Sequence, residues 1–330
     1  MSKEQDLSNL LADNDSLGII CHNNPDPDCL ASALALERIA DENSVKTIDI
    51  YYSGQISHRQ TRTFVNLLDI NLHLFDLTMA LDHDLTAFVD HSIPGINNEI
   101  PPDTQIDIVI DHHPADKIDA RFVHREDSGA TATILVGYLH DLEIEPEADL
   151  ATALLFAIRR ETLEFIRGAT IHEYVAAEYL HPYVDLDLLG QLLTPPYTPA
   201  TIDALSDAID NRTVRSSSLV SHVGTTTERN AIPQAADFLI NLEGINTAVI
   251  FGVIEDEIQL SARSTSPSVH VGKLLRGTFE GLGNVSGHRD AADGRVSLGL
   301  FSDVGDRDTV VDLAAQLVTY RLFHAMDLPE

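Results

Sequence analysis

The chain predicts an α/β protein, with a mostly parallel sheet in its first half and a second, smaller α/β domain after it. Three observations carry that prediction. Short continuous apolar runs alternate with amphipathic stretches from Ser16 to about Tyr179, the pattern of buried parallel strands linked by crossover helices. Prolines at 182, 195, 196 and 199 then interrupt the pattern. Finally, the polar residues best suited to chemistry follow directly on apolar runs, at the carboxyl ends of strands where ligands of such sheets collect.

In chain order, strands are predicted over 17–21, 47–52, 85–89, 106–110 and 121–123, and the Ala- and Leu-rich stretch 29–40 reads as a helix. The first domain is placed at 1–180, a linker at 181–204 and the second domain at 205–330. There the expected order is an extended segment at 216–223, a helix at 232–241, strands at 246–254 and 258–262, and a helix at 269–279. A glycine-rich loop, a final strand and a terminal helix from 308 to about 326 complete it, and no internal repeat is visible.

With 330 residues and 44% hydrophobic content, the chain is long enough for two packed domains. No window holds the ~18 uncharged apolar residues of a membrane-spanning helix, and a cytoplasmic location is expected. The cysteines, Cys21 and Cys29, form no Cys-x-x-Cys pattern and fall in unlike settings, so neither a disulfide nor a zinc site is expected. The net charge is −31, from 52 acidic against 21 basic residues. This reads as an acidic shell adapted to molar salt, where a Debye length of about 3 Å screens self-repulsion; a haloarchaeal source is expected. The same balance argues against a long nucleic-acid track, which depends on Lys and Arg.

Three motifs carry the chemistry. His22-Asn23-Asn24-Pro25-Asp26-Pro27-Asp28 follows the first strand, Asp90 the third, and Asp111-His112-His113 the fourth. One imidazole and two carboxylates on a proline-stiffened loop, faced by a third carboxylate and consecutive histidines, suit a pair of divalent cations. Read singly, Asp28 serves equally well as a helix-capping residue, and Asp90 is weak evidence. His58, His73, His83, His91 and His124 read as ordinary histidines, and Arg59 and Arg62 as a helix face. Ser128-Gly129-Ala130-Thr131 opens a helix, either as a cap or as a phosphate contact.

Together these motifs resemble the DHH phosphoesterases, and within them the nanoRNase and pAp-phosphatase type, RecJ-like, in which a DHH domain is followed by a smaller DHHA1 domain across a cleft. The resemblance implies two Mn²⁺ ions: one held by His22, Asp26 and Asp90, the other by Asp28, Asp90 and His112, with Asp90 bridging. It implies that Asp111 orients His112, and that His113 faces the substrate. The family's fourth motif carries an aspartate where this sequence has Glu161, between Arg160 and Thr162. Glu161 is taken as a further ligand, although a misplacement of about 1 Å costs on the order of 10²-fold in rate. In the second domain the family's Arg-Ser pair and Gly-Gly-His segment match Arg263-Ser264 and Ser286-Gly287-His288, implying that Arg263, Ser264, Gly287 and His288 bind substrate.

The function so implied is a Mn²⁺-dependent hydrolase of short oligonucleotides or 3′-phosphoadenosine 5′-phosphate working by a two-metal mechanism. Cyclic dinucleotides form a neighbouring substrate class. The alternative, motivated by Arg160, Glu161 and Ser286, is a catalytically impaired paralogue that binds a nucleotide or serves replication as an accessory protein. A homodimer accords with the family, and no membrane partner is expected.

Overall fold

The computed structural model of the protein describes residues 2–54, 56, 59–114, 118–194 and 197–328; His58, the Arg59 side chain, Pro195 and Pro196 lie outside the described residues. The chain divides into two compact units between Pro195 and Pro196. Among the described residues, no helix is long and apolar enough to cross a membrane.

The first unit runs α1 (Lys3–Ala12), β1 (Ser16–Asn23), α2 (Pro27–Glu42), β2 (Thr47–Ser53), α3 (Arg59–Leu67), β3 (His73–Leu74), α4 (Leu77–Ala80), β4 (Leu85–Val89), β5 (Ile106–Asp111), β6 (Ala120–Arg125), α5 (Thr131–Asp141), α6 (Ala148–Glu161), α7 (Ile171–Leu180) and α8 (Leu186–Leu193). Its six strands are all parallel in the order β3-β2-β1-β4-β5-β6. Every residue of β4 is buried, which is why the sequence shows a continuous apolar run there rather than alternation. Helix α2 packs against α5 and α6, and Phe64 stacks on Phe156 at 5.6 Å between ring centroids. The two-residue edge strand β3 is too short for periodicity to reveal it.

The stretch 181–204, read from sequence as a linker, is mostly helical. Asp185 caps α8, which packs on α3 and α6 within the first unit. Pro199 opens α9 (Pro199–Asp210) at its first turn, behind the cap Thr198. Proline is tolerated there because the first turn leaves its backbone N–H groups unpaired in any case.

The second unit continues with β7 (Thr213–Arg215), β8 (Ser218–Thr225), α10 (Ala231–Leu239), β9 (Thr247–Ile254), β10 (Glu257–Ser264), α11 (Val271–Thr278), β11 (Gly283–Gly287), β12 (Ala291–Ser297) and α12 (Arg307–Ala325). Its sheet is mixed, ordered β11-β12-β10-β9-β8-β7, with β8 and β9 parallel and the remaining pairs antiparallel. The glycine-rich segment expected as a loop is the edge strand β11. A Cβ on Gly283 would lie 2.0 Å from the Arg295 carbonyl oxygen, so glycine there admits close approach to β12 and does not mark a turn.

Candidate metal centre and its surroundings

The strand order brings the three motifs to one edge. β1 lies beside β4, and β4 beside β5, so the residues following Ile20, Val89 and Ile110 emerge together. At that edge Asp90 takes a left-handed backbone, φ +64°, a conformation that aspartate tolerates better than most residues. Its carboxylate is buried between two imidazoles. Asp90 Oδ2 lies 3.5 Å from His22 Nε2, and Asp90 Oδ1 lies 3.6 Å from His112 Nε2.

The other carboxylates close on the same two imidazoles. Asp26 Oδ1 stands 3.9 Å from His22 Nε2, and Asp28 Oδ2 stands 3.9 Å from His112 Nε2. Helix α2 fixes both: Asp26 is its N-cap, accepting from the backbone N–H of Asp28 and Cys29 at 3.0 Å. Asp28, in the first turn, accepts from the N–H groups of Thr131 and Ala132 at 2.8 and 2.9 Å, so it also holds the start of α5.

The charges express this crowding. Burial works against a charged His22, but Asp26 and Asp90 overcome it and the imidazole is pushed up to about 11. Burial, then the neighbouring Asp90 and Asp26, holds Asp28 well above the usual carboxylate range. Glu161, the last residue of α6, is also raised, first by burial and then by Asp26 and Asp90. Its carboxyl therefore belongs to the same electrostatic cluster. His91 lies beneath, stacked on Phe88 with ring centroids 4.2 Å apart; burial depresses it to about 4, leaving a neutral ring.

Asp111 does not orient His112, as the resemblance implied. Asp111 Oδ1 accepts from the His113 backbone N–H at 3.0 Å and pairs with His113 Nδ1 at 2.9 Å, while Oδ2 accepts from Ser92 Oγ. Both carboxylate oxygens are thus engaged away from His112. His112 Nδ1 instead meets the Ser128 carbonyl oxygen at 2.9 Å. That carbonyl is set by Glu173, a buried carboxylate on α7 that accepts from Ser128 Oγ at 3.0 Å, Gly129 N–H at 2.8 Å and Thr170 Oγ1 at 2.8 Å. Thr131 Oγ1 donates to Asp90 Oδ1 at 2.8 Å. Sequence reasoning singled out the 128–131 segment without its contacts and missed Glu173, whose only local signal is the capping box Thr170–Glu173.

In the second unit, Arg263, Gly287 and His288 share one end of the sheet, since Arg263 pairs with Ala291 and Gly287 with Ala292 across β12. Arg263 Nε donates to Asp237 Oδ1 at 2.6 Å. Ser264 does not fit the substrate-contact role: it is buried, and its hydroxyl donates to the Asn246 carbonyl at 3.0 Å. Ser286 sits in the ladder opposite Asp293, and the left-handed φ of +135° falls on Gly287, so serine at 286 bears no backbone strain. His288 is exposed.

The family model for the DHH family N-terminal domain matches residues 16–158, and that for the DHHA1 domain matches residues 216–319. The chain belongs to the DHH family. The protein MJ1633 of Methanocaldococcus jannaschii is 35% identical over 316 residues, covering 94% of this chain and 64% of its own. The cyclic-di-AMP phosphodiesterase PdeA of Listeria monocytogenes is 25% identical over 289 residues, covering 79% of this chain and 42% of its own. This chain thus spans less than two thirds of either relative. An exopolyphosphatase-related protein from Bacteroides fragilis shares the fold, with a TM-score of 0.69 at 15% identity, covering 97% of this chain and 96% of its own.

The donor set of this DHH protein fits divalent cations. His112 Nε2 is buried without a hydrogen-bond partner among the described residues, yet faces two carboxylates at 3.6 and 3.9 Å. Those separations are too long for hydrogen bonds and match donors sharing one cation, which sit about 3–4 Å apart when each bond is roughly 2.1 Å. Asp90, His112 and His113 each offer a ligand atom within 4.8 Å of the others, as do His22, Cys29 and Asp90.

Proposed function

We propose that this DHH protein is a Mn²⁺-dependent phosphoesterase acting on short nucleotides, either oligonucleotides or 3′-phosphoadenosine 5′-phosphate. The supporting observation is the Asp90 carboxylate, whose two oxygens face two different imidazoles, each with its own aspartate behind it. His22, Asp26 and Asp90 would hold one cation, and Asp28, Asp90 and His112 the second, with Glu161 as a further ligand. Mn²⁺ suits the set better than Mg²⁺ because it includes imidazole. Bound there, the cations supply Lewis acidity toward the phosphoryl oxygens and the attacking water.

The remaining work falls to the chain's own side chains. His113 is half exposed, and the hydrogen bond it donates to the Asp111 carboxylate raises its affinity for a proton. Nδ1 is turned to Asp111, which leaves Nε2 to give a proton to the departing oxygen. Arg263, Gly287 and His288 are the substrate-holding residues of the second unit; Arg263 would exchange Asp237 for a phosphate, a pairing its planar fork suits.

The test is release of mononucleotide from a 5′-phosphorylated RNA dinucleotide in molar KCl with Mn²⁺. Turnover is expected in the wild type and a loss greater than about 100-fold in Asp90→Ala, beyond the 10–100-fold that residues supporting a ligand contribute. A second reading, a nucleotide-binding paralogue without turnover, is favoured by Glu161 in place of aspartate. Nucleotide binding with no hydrolysis of this substrate, of 3′-phosphoadenosine 5′-phosphate or of cyclic di-AMP would support it.

A further inference from the structure

A cavity of about 300 Å³ opens beside the candidate metal centre, lined by Asn24, Asp26, Asp28, Gln60, Arg160 and Glu161 among others. Gly54 helps shape it: with φ +79°, it allows Asn24 Oδ1 to lie where a Cβ would be 2.6 Å away. Arg160 is the single Lys or Arg among its described lining residues. In a chain with 52 acidic residues against 21 basic ones, a guanidinium finds a carboxylate readily. The neighbouring Arg159 does so, with Nε donating to Glu164 Oε2 at 2.6 Å, as do Arg121 with Asp107 and Arg263 with Asp237. The half-buried Arg160 side chain has no hydrogen bond or ion pair among the described residues, although three carboxylates line the same cavity.

We propose that Arg160 binds a second, terminal phosphate of the substrate in this cavity, so that the protein selects linear nucleotides carrying a phosphomonoester beside the phosphate that reacts. The proposal rests on the phosphoesterase reading and narrows it. The cations would take the scissile phosphate, and a second anion in an acid-lined cavity needs a cation of its own, which Arg160 supplies with paired N–H donors. The volume sits at the small end of ligand pockets, enough for a nucleoside phosphate and not for a polymer. Cyclic dinucleotides have no terminal phosphate and leave Arg160 unmatched, so the inference separates substrate classes that the metal centre alone treats alike. An arginine in the last turn of a helix also complements the helix dipole, but that role would not distinguish substrates by their termini.

Turnover of pApA and ApA is compared in the wild type, Arg160→Ala and Arg160→Lys with Mn²⁺ at fixed salt. The expected result is that the ratio of kcat/KM for pApA over ApA falls at least tenfold in Arg160→Ala and by less in Arg160→Lys, which keeps the charge without the fork. An unchanged ratio, including one produced by equal losses on both dinucleotides, overturns the proposal. Calorimetric titration of AMP and adenosine runs in parallel: the ratio of their affinities is expected to fall at least tenfold in Arg160→Ala, and a constant ratio again overturns it. A wild type that hydrolyses neither dinucleotide, nor 3′-phosphoadenosine 5′-phosphate, nor cyclic di-AMP would refute the phosphoesterase reading, and the binding ratio would then decide the role of Arg160 alone.

Discussion

At the scale of single residues, Asp90 carries opposing demands from fold and chemistry. Its left-handed backbone and its hydrogen bond from Thr131 belong to the fold, while its charge raises the energy of Asp28 across the site. Asparagine tolerates the same backbone and can accept the same hydrogen bond. Asp90→Asn is therefore expected to stay folded in metal-free protein, relief of Asp28 offsetting the loss of one of the two carboxylate partners of His22, while calorimetric Mn²⁺ binding is lost; retained Mn²⁺ binding would remove Asp90 from the ligand set. Glu161 is the complementary case, a carboxyl at the end of α6 whose proton affinity is raised by burial and by Asp26 and Asp90. Glu161→Gln should weaken Mn²⁺ binding at one of two sites by about 10–100-fold, taking the bound stoichiometry from two toward one at intermediate concentrations. Equal weakening at both sites, or none, would remove Glu161 from the ligand set.

At the scale of elements, the start of α5 ties the centre together, because Thr131, Ala132 and the preceding Ser128 touch Asp28, Asp90 and His112. Glu173 on α7 clamps that turn. Burial opposes its charge, but hydrogen bonds from Thr170, Gly129 and Ser128 prevail and hold its pKa below the ordinary 4.5. A depressed folded value means that the unfolded chain binds the proton more readily, so this stabilisation is complete above the ordinary value and is lost as pH falls through the folded one. In urea titrations of metal-free protein, the stability difference between wild type and Glu173→Gln should be largest near pH 6 and narrow toward pH 3; a constant difference would show that the charge is immaterial. The same variant should bind Mn²⁺ about 10–100-fold more weakly through His112. None of this linkage was legible in the sequence. A capping box between Thr170 and Glu173 is a local signal, whereas the bond to Gly129 spans 44 positions and exists only once α5 and α7 have packed.

At the scale of the whole molecule, the parts of the fold that sequence revealed are those written in local periodicity. The fully buried β4, the long α2 and the strand-end positions of His22, Asp90 and Asp111 were readable because burial on both faces and placement after an apolar run leave a local trace. The edge strands β3 and β11 left none, since edge pairing and glycine-permitted close approach depend on the partner strand; the helices α8 and α9 of the expected linker left only their cap residues, Asp185 and Thr198, outweighed by the prolines around them. Composition carries a different kind of information. A net charge of −31 implies self-repulsion in the compact state, which salt screens: the Debye length falls from about 10 Å at 0.1 M to about 3 Å at 1 M. Few cations oppose the repulsion; exposed pairs such as Lys46–Asp15 at 2.8 Å contribute little and are themselves weakened by salt. The repulsion is spread over the surface and the pairs are few, so screening should remove more destabilisation than stabilisation. The thermal midpoint of metal-free protein is therefore expected to rise steadily from 0.05 to 1 M KCl. NaCl should give nearly the same curve, because the mechanism depends on ionic strength and not on a bound ion. A midpoint that falls, or that responds to one cation only, would show that site-specific ion binding governs stability instead of the acidic surface.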